Sequence, residues 1–272
     1  MIKMKHKKVS AIAIRKKTYK RMKIGTKLIQ GDCIQSINGV DDFSINLAIL
    51  DPPYEMKIEE LKILRDSLKK KLNKNATIWI FGRFKYIAEI KVLFSESFEF
   101  VNWVIWHKGT RGSSTKRFTN SHDDILMFTN SKRYTFNLDD IREPYDKSAI
   151  EWYKKYGGVY DYKKVSRLNP NGKNPTDVWR INFLQGKSKE YENHPHQKPI
   201  ELIEKIIKVS SNEEDNILDC FMGSGTIGVV CVHLNRNFTG IEKDNTIFNH
   251  AKRRIERAKN PTQATSEKEV VA

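Results

Sequence analysis

Cysteine is scarce in this sequence, and its scarcity narrows the classes of protein that the chain can belong to. The 272 residues include three cysteines, Cys33, Cys220 and Cys231, and none of them has the close spacing of a metal-binding pair. Three cysteines cannot form the disulfide framework of a small secreted domain. Long apolar runs are lacking too, since nowhere are about eighteen consecutive residues apolar. We therefore expect a cytoplasmic protein with neither a metal site nor a membrane span.

Acidic residues are missing from the first 23 positions, which contain ten Lys or Arg residues. This basic N-terminal arm supplies much of the net charge of +16, and its short apolar patch is too broken for a secretory signal. A charge so far from balance favours a polyanionic partner such as nucleic acid. We interpret the arm either as an additional contact for nucleic acid or as a leader segment outside the folded domain.

The segment at 47–54 combines a predicted buried strand with residues that end it abruptly. Residues 47–50 are four consecutive apolar residues, which are typical of a buried strand, and Asp-Pro-Pro-Tyr follows at 51–54. Because proline has no N–H to donate, the strand must end at Asp51. Open α/β sheets bind their ligands at the carboxyl ends of strands, so the segment predicts a reaction centre. The alternative is an Asp-Pro turn that merely ends a strand.

The order of the predicted elements indicates a doubly wound α/β fold. Apolar residues recur at helical spacing over 58–73 and 84–95, and these helices separate apolar strand segments at 47–50, 76–81 and 100–106. Such alternation is typical of a mostly parallel sheet with helices on both faces.

A second unit, at 216–242, reads as strand, glycine-rich turn, helix and strand. Gly223 and Gly225 would let the backbone approach a ligand, and the helix that follows presents its N-terminus to negative charge. Glu242 ends the last strand, where a carboxylate can accept both hydroxyls of a ribose. Alone, the unit also fits a dehydrogenase-type nucleotide fold, although the third glycine is missing. A P-loop is excluded because no Gly-Lys-Ser/Thr follows.

Together, the two units resemble the bacterial DNA amino-methyltransferases, which use S-adenosylmethionine to methylate exocyclic base nitrogens in restriction-modification systems. The matching segments are Asp-Pro-Pro-Tyr at 51–54, His-Pro-His-Gln-Lys-Pro at 194–199 and Asp-Cys-Phe-Met-Gly-Ser-Gly-Thr at 219–226. Their order is similar to that of the beta group, which has a circularly permuted version of the Rossmann-like methyltransferase sheet. The resemblance covers residues 24–258, with His196 and Cys220 where family members usually have Thr and Pro.

The resemblance implies transfer of a methyl group to N6 of adenine, because Asp at the first position of the tetrapeptide favours adenine in this family. Asp51 and the carbonyl of Pro52 would accept the hydrogens of the base amine, Pro53 would be a rigid spacer, and Tyr54 would stack on a base taken out of the duplex. The transfer depends on positioning and needs no metal. Cytosine C5 chemistry is not expected, since it needs a Pro-Cys pair that the sequence lacks.

The resemblance also implies S-adenosylmethionine as the cofactor. The residues expected to bind it are Asp32, Lys198, Asp219, Phe221, Gly223, Ser224, Gly225, Thr226 and Glu242. Asp32 would lie near the adenine, unless it is only a turn-forming aspartate. Lys198 would close the methionine end of the pocket, unless it is only a solvated helix start.

Two polar stretches are candidates for the DNA surface. The loop at 107–117 is basic, and Lys108, Arg111, Lys116 and Arg117 are expected to bind phosphates. Residues 131–193 are rich in Tyr, Lys, Arg and Asn, which suits a target-recognition insert. The predicted division of the chain is a basic arm at 1–23, a catalytic half at 24–130, the insert at 131–193, a cofactor-binding half at 194–258 and a disordered tail at 259–272.

The predicted partners are double-stranded DNA, a cognate restriction endonuclease and a second copy of the chain in a homodimer. Three alternatives stay open at this point. The fold could act on N4 of cytosine, it could act on RNA or a protein amide, or the protein could bind DNA without catalysis.

Overall fold

A computed structural model of the protein describes residues 24–82, 85–110, 115–156, 169–186, 188, 190–192 and 196–260, the side chains of 153–156 excepted. Within these residues the strands are β1 (Thr26–Gln30), β2 (Ile45–Leu50), β3 (Leu72–Gly82), β4 (Glu99–His107), β5 (His122–Thr129), β6 (Val178–Arg180), β7 (Asn216–Asp219) and β8 (Asn237–Glu242). The helices are α1 (Cys33–Ser36), α2 (Ile58–Lys71), α3 (Ile87–Ser95), α4 (Lys147–Tyr156), α5 (Ile200–Ser210), α6 (Thr226–His233) and α7 (Asn245–Lys259). Ile37–Gly39 and Leu138–Ile141 are short 3₁₀ helices.

All these strands belong to one sheet with the order β1-β8-β7-β2-β3-β5-β4-β6. Neighbours run parallel except at β5, which is antiparallel to both β3 and β4. The predicted doubly wound, mostly parallel α/β fold is therefore confirmed. No helix in the described part of the chain is long and apolar enough to cross a membrane.

Strand β2 is covered on both faces, which explains why its sequence is continuously apolar. Leu47 and Ile49 point into one core with α5, α6 and α7, whereas Ala48 and Leu50 point into a second core with α2 and α3. All four side chains are completely buried. The strand ends at Leu50, as the two prolines predict.

A short strand in the predicted insert is part of the sheet. Val178–Arg180 pairs with the outer side of β4, and its central Trp179 is buried with its ring centroid 5.6 Å from that of Trp79. The edge of the sheet is thus built from the 131–193 segment. At the other end of the chain, α7 reaches Lys259, so the predicted tail starts too early. The rest of that tail, 261–272, and the basic arm lie outside the described residues.

Gly228 sits where α6 packs on α7 and β8. A Cβ added there would lie 2.5 Å from Cδ1 of Ile255 and 2.7 Å from Cε1 of Phe238. Alanine raises helix propensity by about 1 kcal/mol, but overpacking costs about 1–3 kcal/mol. The net loss is thus up to about 2 kcal/mol, and we expect Gly228→Ala to lower the free energy of unfolding in urea by about 1 kcal/mol. Gly186→Ala is the control, because a Cβ there meets nothing within 4 Å. A Gly228→Ala protein as stable as the wild type would contradict the packing argument.

Candidate active site

A cavity of about 490 Å³ opens at the edge of the sheet where β1, β2, β7 and β8 end. This volume is typical of small-molecule sites. The predicted site residues that line it are Asp32, Asp51, Pro52, Pro53, Tyr54, Lys198, Asp219, Phe221, Gly223, Ser224, Thr226 and Glu242. Of the predicted catalytic and cofactor residues, only Gly225 is not in its wall. The structure thus brings together segments that are some 170 residues apart in the chain.

Asp51 follows β2 and faces into this cavity. Its carboxylate is paired with the ammonium of Lys198, which also lies 5.0 Å from the ring centroid of Phe81. The Lys198 side chain is 14% exposed, so Lys198 is not a solvated helix start. The site therefore holds a carboxylate and an ammonium side by side.

Tyr54 stands at the mouth of the cavity, with 38% of its surface exposed. Its ring meets the ring of His196 edge to face, with centroids 5.6 Å apart. The turn behind it is closed by the Met56 N–H, which donates to the Pro53 carbonyl at 3.0 Å. A small recess on the β3 side of Asp51 is also lined by Tyr54, Phe81, Tyr86 and Asp123.

The glycine-rich turn is tied to β8 through Glu242. Oε2 of Glu242 accepts the Gly223 N–H at 2.8 Å, and its Oε1 accepts the Asp244 N–H at 2.9 Å. Gly223 and Gly225 have φ values of 49° and 77°, which side-chain-bearing residues rarely adopt. Each carboxylate oxygen of Glu242 keeps a lone pair that can accept a further hydrogen bond.

Asp32 forms the turn and also lines the cavity, so its expected place near the adenine stays a prediction. Its Oδ1 accepts the Ile34 N–H at 3.0 Å and so caps α1, which is the turn-forming role. Its Oδ2 lies 3.2 Å from the ammonium of Lys243. The side chain nevertheless lines the cavity.

Asp219 is completely buried beneath the turn, and its environment disfavours a negative charge. Burial first, and then the charges of Asp51 and Glu242, raise the pKa of its carboxyl to about 8. The Phe221 N–H, which donates to Oδ1 at 2.9 Å, and Lys198 act in the opposite direction. At neutral pH the carboxyl of Asp219 is therefore mostly protonated.

Residues 45–253 match the family model for DNA methylases (N6_N4_Mtase). The chain belongs to this family. It is 35% identical over 248 residues to the type II methyltransferase M.HpaI of Haemophilus parainfluenzae, covering 85% of this chain and 74% of the relative. It is 33% identical over 245 residues to the type II methyltransferase M1.MboII of Moraxella bovis, covering 83% and 94%. Among solved structures, the complex of M1.HpyAVI with S-adenosylmethionine has a TM-score of 0.59 at 24% identity, covering 84% and 99%.

The glycine-rich turn of this DNA methylase is held from below by Arg254, a residue that the sequence reasoning missed. Its guanidinium is buried and donates to the Ser224 carbonyl at 3.0 Å and to Oγ1 of Thr226 at 2.9 Å. Glu192 lies 3.8 Å away and compensates part of its charge. Arg254 lies in a strongly basic helix, and such a sequence indicates a solvated face rather than a buried contact.

The residues predicted to bind phosphates differ in their surroundings. The ammonium of Lys108 is 2.5 Å from the Asp123 carboxylate and 5.7 Å from the Trp106 ring centroid, so it is already paired in this structure. Lys116 and Arg117 are exposed, and their role stays a prediction. Arg111 lies outside the described residues, as do His194 and Pro195 of the matching hexapeptide.

In the described part of the chain, no three His, Cys, Asp or Glu side chains are grouped to hold a metal ion.

The raised pKa of Asp219 makes stability depend on pH. Between its ordinary pKa of 3.8 and the folded value of about 8, the folded protein binds more protons than the unfolded chain. The contribution of the Asp219 carboxyl to the free energy of unfolding is therefore full at low pH and is lost as pH rises through this window. Asp219→Asn keeps an acceptor for the Phe221 N–H but cannot ionise.

We expect the free energy of unfolding of Asp219→Asn, relative to wild type, to rise between about pH 4 and about pH 8 and to level off above this range. Urea titrations at several pH values measure this difference. A difference that is constant over the same range would show that the carboxyl of Asp219 titrates normally.

Proposed function

We propose that this DNA methylase transfers the methyl group of S-adenosylmethionine to the exocyclic N6 of an adenine flipped out of duplex DNA. The observation that carries the proposal is the shared cavity: the tetrapeptide that begins with Asp51 and the glycine-rich turn fastened by Glu242 line the same space. An acceptor for an amine and a cradle for a nucleotide cofactor would thus share one cavity.

The cavity suits S-adenosylmethionine in volume and in the polar groups that it offers. Glu242 has lone pairs left for the ribose hydroxyls, and the backbone of Gly223 is free of a side chain that would fill the cradle. Lys198, which is paired with Asp51 in this structure, would provide a cation for the methionine carboxylate, and Asp32 would lie near the adenine. When bound, the cofactor supplies an electrophilic methyl group on a sulfonium.

The protein itself must make the base amine nucleophilic and orient it towards the methyl group. The lone pair of an aromatic amine is delocalised into the ring, so the amine reacts only when its hydrogens are held out of the ring plane. The Asp51 carboxylate and the Pro52 carbonyl would accept these two hydrogens, and the carboxylate can take the proton that leaves after transfer. Tyr54, exposed at the mouth, would stack on the flipped base.

Adenine rather than cytosine is proposed because the tetrapeptide begins with Asp51, which the resemblance associates with adenine. We further propose that residues 131–193 read the DNA sequence and that Lys116 and Arg117 bind phosphates. A cognate restriction endonuclease, a homodimer and a cytoplasmic location stay predictions.

Asp51→Asn tests the acceptor role, because it keeps the shape of the side chain and removes its charge. We expect turnover to fall by a factor of about 10²–10³, the usual loss when one preorganised polar group of an active site is removed. The urea midpoint should change little, since Asp51 is partly exposed at the cavity wall. Transfer of a labelled methyl group to plasmid DNA, followed by nucleoside analysis, measures the effect.

Asp41→Asn is the matched control, because Asp41 is an exposed carboxylate before the opposite end of β2. Full activity of Asp51→Asn would refute its role as acceptor. N4-methylcytosine as the product would refute the adenine assignment, and label in RNA or protein but not in DNA would refute the substrate class.

Arg254→Lys tests whether the buried guanidinium positions the cofactor turn. Lysine keeps the charge, but its ammonium lacks the planar guanidinium that holds Nη1 where it donates to both the Ser224 carbonyl and the Thr226 hydroxyl. Losing such a charged hydrogen bond costs about 1.5–3 kcal/mol, so we expect the KM for S-adenosylmethionine to rise by about tenfold or more. The KM for DNA should be unchanged.

Arg257→Lys on the same helix is the control, because Arg257 pairs with Glu192 at 3.1 Å and does not bond the turn. If Arg254→Lys lowered only the urea midpoint and left both KM values unchanged, its role would be purely structural.

A further inference from the structure

Phe118 is the most exposed large hydrophobic residue in the described part of the chain. Its side chain is 98% exposed, whereas Phe43, the next most exposed, is at 71%. A benzyl group held almost wholly in water is unfavourable, because burying it would be worth about 1.5–3 kcal/mol. Its exposure leaves the whole ring of Phe118 available for contact with a partner.

The position of Phe118 in the fold indicates which partner covers it. It lies in the connection between β4 and β5, which is closed at its base by the Lys108 N–H donating to the Ser121 carbonyl at 2.9 Å. Because β5 is antiparallel to β3 and β3 is parallel to β2, this connection emerges at the edge where Asp51 lies. Asp123, just after the connection, lines the recess beside Asp51.

The charge around Phe118 fits nucleic acid. Lys116 and Arg117 immediately precede it and are exposed, and residues 108–121 contain no acid. Such cations draw a loop towards phosphates. A second copy of the chain could meet the same cations through its exposed acids, so the test below includes the oligomeric state.

We propose that Phe118 inserts into the DNA duplex and occupies the gap left in the base stack by the flipped target base. Apolar wedges are used in this way by proteins that unstack a base step. A base stacked on an aromatic ring gains about 1–3 kcal/mol, which is comparable to the few kcal/mol needed to extrude a base. Phe118 thus compensates part of the cost of presenting the base to Asp51. The inference rests on the proposed function, since it assumes a flipped base.

The test uses wild-type protein and a duplex that contains the motif found by sequencing methylated host DNA. A second duplex is identical except for an abasic nucleotide opposite the target base, which removes the pairing that the wedge must overcome. We expect Phe118→Ala to lower kcat/KM on the intact duplex by about tenfold to a hundredfold, in line with the loss of one stacked ring. On the abasic duplex, the loss should shrink to less than about threefold.

Phe118→Trp should restore the rate on the intact duplex, because tryptophan can stack as phenylalanine does. Phe43→Ala is the control, since Phe43 is exposed at the opposite end of β2 and should leave both rates unchanged. An equal loss for Phe118→Ala on both duplexes, or none on either, would overturn the inference. So would a dimer of the wild type that Phe118→Ala dissociates, as seen by size-exclusion chromatography.

A failure of the proposed function itself would look different. In that case the wild type would not methylate either duplex, whatever residue stands at 118.

Discussion

The parallel pairing of β2 with β7 is the constraint on which the site depends. Leu47 pairs with Ile217 and Ala48 with Leu218, and because parallel strands end at the same edge, Asp51 and Asp219 become neighbours. Side chains secure the amino ends of the two strands: Asn216 donates its backbone N–H to Asn46 at 2.9 Å and its amide to the Ser44 carbonyl at 2.9 Å. Closing a loop this long carries an entropic cost, so the pairing must be stabilised by the two cores on either side of β2.

This pairing creates an electrostatic problem, because it gathers Asp51, Asp219 and Glu242 around one cavity. Each carboxyl group is accommodated in a different way. Asp51 has the ammonium of Lys198, Glu242 accepts two backbone N–H groups, and Asp219 is buried so deeply that burial and its neighbours raise its pKa to about 8. The cavity can thus contain three carboxyl groups without three adjacent negative charges.

Sequence reasoning works here wherever chemistry and local geometry coincide in a short segment. The stop at Asp51 follows from two prolines, and the turn at 223–226 follows from glycines between a strand and a helix. It fails where a contact depends on distant packing. Trp179 stands in a polar segment whose strand has only three residues, so no periodicity indicates it. Arg254 is indistinguishable in sequence from its solvated basic neighbours, because its partners at 224 and 226 are reached only through the fold.

The two sides of β2 differ in strand direction and in what the strand ends carry. On one side, β7, β8 and β1 are all parallel, and their carboxyl ends hold Asp219, Glu242 and Asp32. On the other side, β5 breaks the parallel run after β3. A parallel crossover would carry the chain away through a helix, whereas the antiparallel pair β4 and β5 lets a loop leave and return at the same edge. The reversal at β5 therefore sets Lys116, Arg117 and Phe118 at the Asp51 edge of the sheet, on the β3 side of Asp51 and away from the glycine-rich turn.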